Sequence, residues 1–484
     1  APLLVISAVN LVSVPLFFRF LGPEMYAIWL CVTTLNGTFG FADLGLGSAV
    51  GRFLGIALGA QDRAALEQYW GTGNLLALLV VTVMAVVFII VGVVFGPHWF
   101  RPPAASAVAV AHYLNLLRWG FVAGGFGLWL GYYGNFWLVL SQAHFDFKFI
   151  GLSRSILNVA QVATTVWLAW WTHNPVVLIC AGAGFGLIQL FIFVRHAVSR
   201  YRLGLNLRHS TRARARELFG ISNKVFGTIL IGSVGGSVDR LILGKLAPPA
   251  AFTDYGICNN FGSRIASIGL STMGPVASQT SRAVGQGDRE KAAAIFNESF
   301  NWTFGFYALG AIWTIFWHPI LLRLWLGAAL AQAVSPVFTP LIVAFCITGI
   351  GMISTAQLVP LNRAGVEFVF AIIRTICLGV FAAAGWYLGG LAGVAWGVLA
   401  SRIVTIAQDL YAIRLIGGGG WLAWRTWGNL LGQLLAGSAF YAASRFLLPA
   451  ESMWLIVPAS LHGGLVMAWL LRHQLRNVFS IGQT

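Results

Sequence analysis

Charge is what this 484-residue chain has least of: only 9% of its residues are Asp, Glu, Lys or Arg, about a third of the density of a soluble domain. Acid is scarcer than base, with 14 Asp and Glu against 30 Lys and Arg. So few charges exclude an ordinary soluble globular protein. Cysteine is also sparse. The five cysteines (Cys31, Cys180, Cys258, Cys346, Cys377) lie in apolar stretches without Cys-x-x-Cys or Cys/His spacing, so neither a disulfide framework nor a metal site is implied. His98, His173 and His318 are likewise scattered without metal spacing. No Gly-x-x-x-x-Gly-Lys-Ser/Thr occurs, which removes a built-in ATP site.

What is present is apolar. Hydrophobic residues make up 58% of the chain and glycines number 57. Apolar segments of roughly 20–25 residues recur from end to end, each long enough to cross a hydrocarbon core. The spacing predicts an all-α integral membrane protein of about fourteen spans: 2–21, 25–48, 72–95, 116–140, 150–171, 175–195, 218–243, 252–277, 295–318, 335–360, 366–388, 391–413, 427–448 and 452–471. The first is expected to be a retained span, since it has no basic n-region or cleavage site and runs into the turn Leu21-Gly22-Pro23-Glu24; a few residues are expected to precede Ala1. Basic residues concentrate in the loops after even-numbered spans (Arg52, Arg63, Lys148, Arg195 and others), which sets both termini in the cytoplasm and explains the net charge of +16 without nucleic acid.

The sequence also repeats itself. Arg19-Phe20-Leu21-Gly22, Tyr26-Ala27-Ile28 and Gly59-Ala60-Gln61-Asp62-Arg63 are echoed by Arg240 with Leu243-Gly244, by Tyr255-Gly256-Ile257 and by Gly285-Gln286-Gly287-Asp288-Arg289. The offset is 221 to 229 residues. Six spans separate the copies, so two six-helix bundles are expected, related by a pseudo-twofold axis along the membrane normal and facing a central cleft. The expected lobes are 1–196 and 217–416, joined by an Arg-rich cytoplasmic linker at 197–216, with 417–484 carrying two further helices and the tail. The linker region reads as a solvated charge run beside anionic headgroups. Gly120-x-x-x-Gly124, Gly127-x-x-x-Gly131, Gly182-x-x-x-Gly186 and Gly393-x-x-x-Gly397 read first as close helix packing.

Ionisable residues inside the predicted spans are the candidate functional groups: Asp43, Arg118, Asp239, Arg240, Arg264, Arg374, Arg402 and Asp409, with Arg19 at the end of the first span. A lipid-facing arginine costs about 2.5–3.5 kcal/mol, so these groups are expected to face a wet cavity or one another. Structural pairing accounts for some. Arg402 and Asp409 are two turns apart, and Asp239 is a candidate partner for Arg264. The arginine surplus invites an anionic cargo, with Arg19, Arg118, Arg240, Arg264, Arg374 and Arg402 as substrate-binding candidates and Asp43, Asp239 and Asp409 as ion-coupling or pairing groups.

Arg19-Phe20-Leu21-Gly22-Pro23-Glu24 with Tyr26 and Trp29, Asp43-Leu44-Gly45-Leu46-Gly47, Val238-Asp239-Arg240-Leu241-Ile242-Leu243-Gly244-Lys245 and Gly287-Asp288-Arg289-Glu290-Lys291 together resemble the multidrug/oligosaccharidyl-lipid/polysaccharide (MOP) exporter superfamily, and within it the Wzx-type polysaccharide flippases. The resemblance implies a cationic cavity and alternating access for a polyprenyl-pyrophosphate-linked glycan. It implies a bacterial inner-membrane monomer among membrane lipids and alongside a polysaccharide polymerase. It calls for no cofactor, only sodium, protons or the membrane potential for coupling. The alternatives are a multidrug/ion antiporter of the same superfamily, which wants an acidic cavity, and a membrane glycosyltransferase or O-antigen ligase, which wants larger outer loops than these.

Overall fold

The computed structural model describes residues 2–40, 45–104, 106–285, 288–358, 363–416, 424–449 and 452–481, and among them the regular elements are helices. Internal packing divides the chain into two compact units, Ala1–Thr253 and Asp254–Thr484. Seven helical segments among the described residues are long and apolar enough to cross a bilayer: Ser13–Thr38, Arg63–Trp99, Pro175–Tyr201, Arg289–Leu326, Ala328–Thr355, Gly365–Ile416 and Met453–Arg472. Several more polar helices also have the length, since 24 residues extend about 36 Å. The outer faces confirm the solvent. Leu79, Val83, Val86 and Ile90 are exposed on the same helix that buries Ala77, Val81, Ala85 and Phe88, the reverse of a soluble surface.

Unit 1 contains α1 (Pro2–Thr38), α2 (Leu46–Gly59), α3 (Arg63–Ile90), the single turn α4 (Gly96–Trp99), α5 (Ala107–Ala143), α6 (Phe147–Thr172), α7 (Pro175–His196), α8 (Arg212–Gly235), α9 (Val238–Leu246) and the start of α10 (Pro249–Gly285). The two predicted spans at 2–21 and 25–48 share α1, which reverses at Gly22. The ring centroids of Phe17 and Trp29 lie 6.0 Å apart, whereas their separation of twelve positions would cover about 18 Å of straight helix. Gly22 makes the reversal possible with φ 73° and ψ 170°, a region open essentially to glycine alone. The second span ends at Thr38, and α2 is an additional helix in what the sequence suggested was loop. The predicted span 218–243 is also interrupted, by Gly236 and Ser237 between α8 and α9.

The repeated Gly-x-x-Asp-Arg pattern has a local explanation. Asp62 caps α3 by accepting from the Ala65 amide at 2.9 Å, and Asp288 caps the helix Arg289–Leu326 by accepting from Lys291 at 2.9 Å. In unit 1 the following arginine does more. Arg63 donates to the carbonyls of Tyr201 and Arg202 at 3.2 and 3.0 Å while pairing with Glu67 at 2.8 Å.

The Arg-rich segment is therefore strapped to unit 1 rather than free in solvent. Trp70 Nε1 donates to Gly204 O at 2.7 Å, and Thr72 Oγ1 accepts from the Thr211 amide at 3.1 Å. Gly71 lies so close to the Asn206 carbonyl that no Cβ would fit. Arg214 lies over the Tyr69 ring at 4.4 Å and donates to its hydroxyl, which in turn donates to Glu217 at 2.6 Å. On the other side of the strap, Asp146 accepts from Tyr201 at 3.2 Å and pairs with His196 at 3.0 Å, and the His196 ring stacks on Phe149. Arg202, Arg208, Arg212 and Arg216 remain exposed.

Unit 2 continues with α11 (Arg289–Leu326), α12 (Ala328–Leu358), α13 (Ala364–Ser401), α14 (Ile403–Ile416), α15 (Trp424–Leu447) and α16 (Ile456–Ile481). Here too one element holds two predicted spans. Gly389 and Gly390 (φ 57°, ψ −138°) turn α13 back on itself, and Gly385 meets Gly393 while Gly397 meets Phe381, backbone to backbone. The Gly393-x-x-x-Gly397 spacing thus serves packing, as read. Helices α15 and α16 pack on α11, where Trp317 Nε1 donates to His462 Nδ1 at 3.0 Å and Trp313 Nε1 donates to Ala459 O at 3.2 Å.

Two outcomes follow. Gly22→Ala should lower stability by about 1–3 kcal/mol, read as a fall in the thermal midpoint of the solubilised protein, whereas Gly55→Ala, helical and with open space at its Cβ, should not. Burial would raise the Asp146 carboxyl, but hydrogen bonds from His196, Tyr201 and the Phe149 amide outweigh it and hold the group below its usual value. Its contribution is then complete above the ordinary carboxylate range near about pH 4 and lost as pH falls through the lowered value. The midpoint difference between wild type and Asp146→Asn should be constant near neutrality and shrink on acidification.

Candidate functional site

The residues singled out in the sequence fall in different places. Asp43 lies outside the described residues. Arg19, on the first arm of α1, and Arg118, on α5, are exposed and have no hydrogen bond or ion pair among the described residues. Asp239 is buried at the start of α9. Its neighbour Arg240 turns back on the break before that helix, donating through Nη2 to Gly236 O at 2.8 Å and Ser237 Oγ at 3.2 Å, so its charge serves a carbonyl and a hydroxyl at the interruption of the span. A Cβ on Gly37 of α1 would lie 3.6 Å from that same Nη2. Asp239 and Arg264, considered as partners, belong to unit 1 and unit 2 respectively.

Unit 2 brings the largest group together. Arg374 on α13 donates through Nη1 to Gln408 Oε1 at 3.0 Å and approaches Glu367 Oε1 through Nη2 at 3.4 Å. The Gln408 amide nitrogen donates to the other oxygen of Glu367 and to Thr355 Oγ1 at 3.0 Å. Three helices, α12, α13 and α14, are thereby tied by one chain of polar side chains, with the Glu367 side chain only 7% exposed. Asp409, next along α14, is buried beside it. Among the described residues, one of its carboxylate oxygens, Ser354 Oγ, Thr405 Oγ1 and both amide atoms of Gln357 lack a well-formed hydrogen bond. Unsatisfied buried groups cost about 1–3 kcal/mol each, so such a concentration marks a place kept polar for a reason other than packing.

Glu367 is the residue that sequence reasoning missed. It sits at the edge of the predicted span 366–388 and was not among the ionisable residues singled out there. Its position one helical face and two turns before Arg374 was the available signal. Arg402 and Asp409, taken as two turns of one helix, are separated by a break: Arg402 is the buried C-cap of α13, and α14 starts after it. Arg264 on α10 is half-buried with no hydrogen bond or ion pair from its guanidinium among the described residues.

The comparisons agree with this architecture. The MatE family model matches residues 225–384. A structure described as the lipid II flippase MurJ, inward closed, superposes with a TM-score of 0.73 at 13% identity, covering 98% of each chain. The chain has the fold of the MOP-superfamily transporters. An inward-facing multidrug resistance MATE family transporter matches with a TM-score of 0.66 at 16% identity over 85% of this chain and 94% of that one. A MOP-superfamily transporter from Pyrococcus furiosus, described as having a binding pocket of reversed polarity, matches with a TM-score of 0.60 at 16% identity over 86% and 94%. No curated sequence matches the chain significantly.

Removing the cation of the α13 pair leaves a buried carboxylate with the neutral Gln408 amide as its partner. Arg374→Ala should destabilise on the order of 3 kcal/mol in a denaturation experiment. Adding Glu367→Gln to Arg374→Ala should recover most of it; a double variant as unstable as the single one would show that the pair is not what holds α13 to α14.

Proposed function

We propose that this chain is a flippase that moves a polyprenyl-pyrophosphate-linked oligosaccharide from the cytoplasmic to the outer leaflet of a bacterial inner membrane by alternating access. The carrying observation is the cation surplus that structure does not absorb. Arg374 is neutralised by Glu367, and Arg240 donates to the Gly236 carbonyl and the Ser237 hydroxyl, but Arg19, Arg118 and Arg264 lie in helices without any anionic partner among the described residues. Guanidinium groups in that position favour a phosphate-bearing cargo. A pyrophosphate with about two negative charges moving outward gains about 4–5 kcal/mol per 100 mV of inside-negative potential, so no nucleotide is required. In this reading the repeat defines lobes at 1–196 and 217–416 joined at 197–216, helices beyond 417 form an appendage, and both termini are cytoplasmic. The protein acts as a monomer that hands its product to a polymerase. The polar surroundings of Asp409 make it the favoured carrier of a coupling sodium ion or proton. Likeness in fold to the flippase named above, over nearly the whole of both chains, supports the same reading.

The MatE match favours a second one, a multidrug/ion antiporter. Reconstituted vesicles separate the two. With a fluorescent polyprenyl-pyrophosphate oligosaccharide and an imposed potential, label should become accessible to an external glycosidase faster than in empty vesicles, and Arg264→Ala should slow it severalfold. Accessibility equal to that of empty vesicles, with uptake or release of a cationic dye instead, would replace the flippase by the antiporter.

A further inference from the structure

Unit 1 contains a partly open cavity of about 300 Å³ among α1, α5, α6 and α7. Its polar wall is made of Asn36, Asn158 and Gln161, with Thr33 and Thr165 beside them and Trp29 at one edge. Among the described residues, no ionisable side chain lines it. That combination narrows the ligand. A phosphate would want arginine and a drug cation a carboxylate, while a lipid tail would want no amides at all. Carboxamides carry a donor and an acceptor side by side, the pattern that adjacent hydroxyls of a sugar present in return. The threonines do not consume that capacity. Thr33 Oγ1 donates to Trp29 O at 2.9 Å and Thr165 Oγ1 to Gln161 O at 2.8 Å, both along their own helices.

Trp29 is held for stacking. Its ring is backed by Phe17 at 6.0 Å with 29° between planes, across the α1 reversal that Gly22 permits. An indole fixed in this way offers a flat apolar face to the C–H side of a pyranose. The space itself comes from missing side chains. Gly127 and Gly182 line the cavity, and Cβ atoms built on them would reach only Ala183 at 3.7 Å and Gln161 Nε2 at 3.5 Å, ordinary contacts. Helix contact therefore does not demand glycine at these two positions, in contrast to Gly124, whose Cβ would press on Val32 at 2.6 Å. About 300 Å³ is the lower end of ligand-pocket volumes and suits one ring rather than an oligosaccharide.

We propose that this cavity is a binding subsite for a single uncharged pyranose ring, recognised by Asn36, Asn158 and Gln161 and stacked on Trp29. The inference rests on the glycan-flippase reading and names the part of the cargo that unit 1 recognises.

Saturation-transfer NMR on the full chain in lipid nanodiscs tests it, with methyl glycosides of glucose, galactose and N-acetylglucosamine as probes. At least one should receive saturation on its ring C–H protons. Gln161→Leu and Asn36→Leu should each weaken it about tenfold, the loss expected when a sugar hydroxyl is left unpaired. Gly127→Leu should abolish it by filling the space, with Gly182→Val as the substitute if that variant does not fold; the thermal midpoint reports folding. Absence of saturation with all three probes, or saturation unchanged in Gln161→Leu and in the cavity-filling variant, would overturn the proposal. The vesicle assay keeps the two readings apart. Glycoside binding that these variants abolish, without flipping, supports the subsite and counts against the flippase, whereas flipping with no glycoside binding does the reverse.

Discussion

A guanidinium inside a hydrocarbon layer has to be answered by an anion, a carbonyl or water, and that requirement orders most of what this protein does with its few charges. Arg374 is answered by Glu367 and Gln408, which ties α13 to α14 and, through Thr355, to α12. Arg240 is answered by the carbonyl of Gly236 and the hydroxyl of Ser237, where α8 and α9 are interrupted. Arg63, outside the spans, answers the carbonyls of Tyr201 and Arg202 and so holds the strap. These arginines are structural. Those left without an answer among the described residues carry the functional argument.

The two units use polarity differently. Unit 2 concentrates charge and orphaned polar atoms around Glu367, Arg374 and Asp409. Unit 1 instead keeps a neutral, amide-lined cavity beside Trp29 and fastens the Arg-rich segment by Trp70, Tyr69 and Asp146.

Glycine shows why short motifs mislead when read singly. Gly22 and Gly390 are conformational necessities with positive φ, and Gly124, Gly385, Gly393 and Gly397 are contact necessities. Gly127 and Gly182 are neither. They come from the same x-x-x spacings that suggested packing, yet they line the cavity, and only the position of neighbouring helices separates the uses.

The membrane class, the helical fold and the approximate spans were legible in sequence, because hydrocarbon thickness and backbone hydrogen bonding leave a long apolar segment few alternatives. The turns at Gly22 and at Gly389–Gly390 were legible for the same reason. What only tertiary structure decided was the fate of individual charges. Asp62 and Asp288, seen in sequence only as parts of a repeat, are helix caps, and Arg374, a cargo candidate in sequence, is paired with Glu367, a buried residue that sequence did not single out. A side chain's partner depends on which helix faces it across a few ångströms, and composition and spacing along one chain carry no information about that distance.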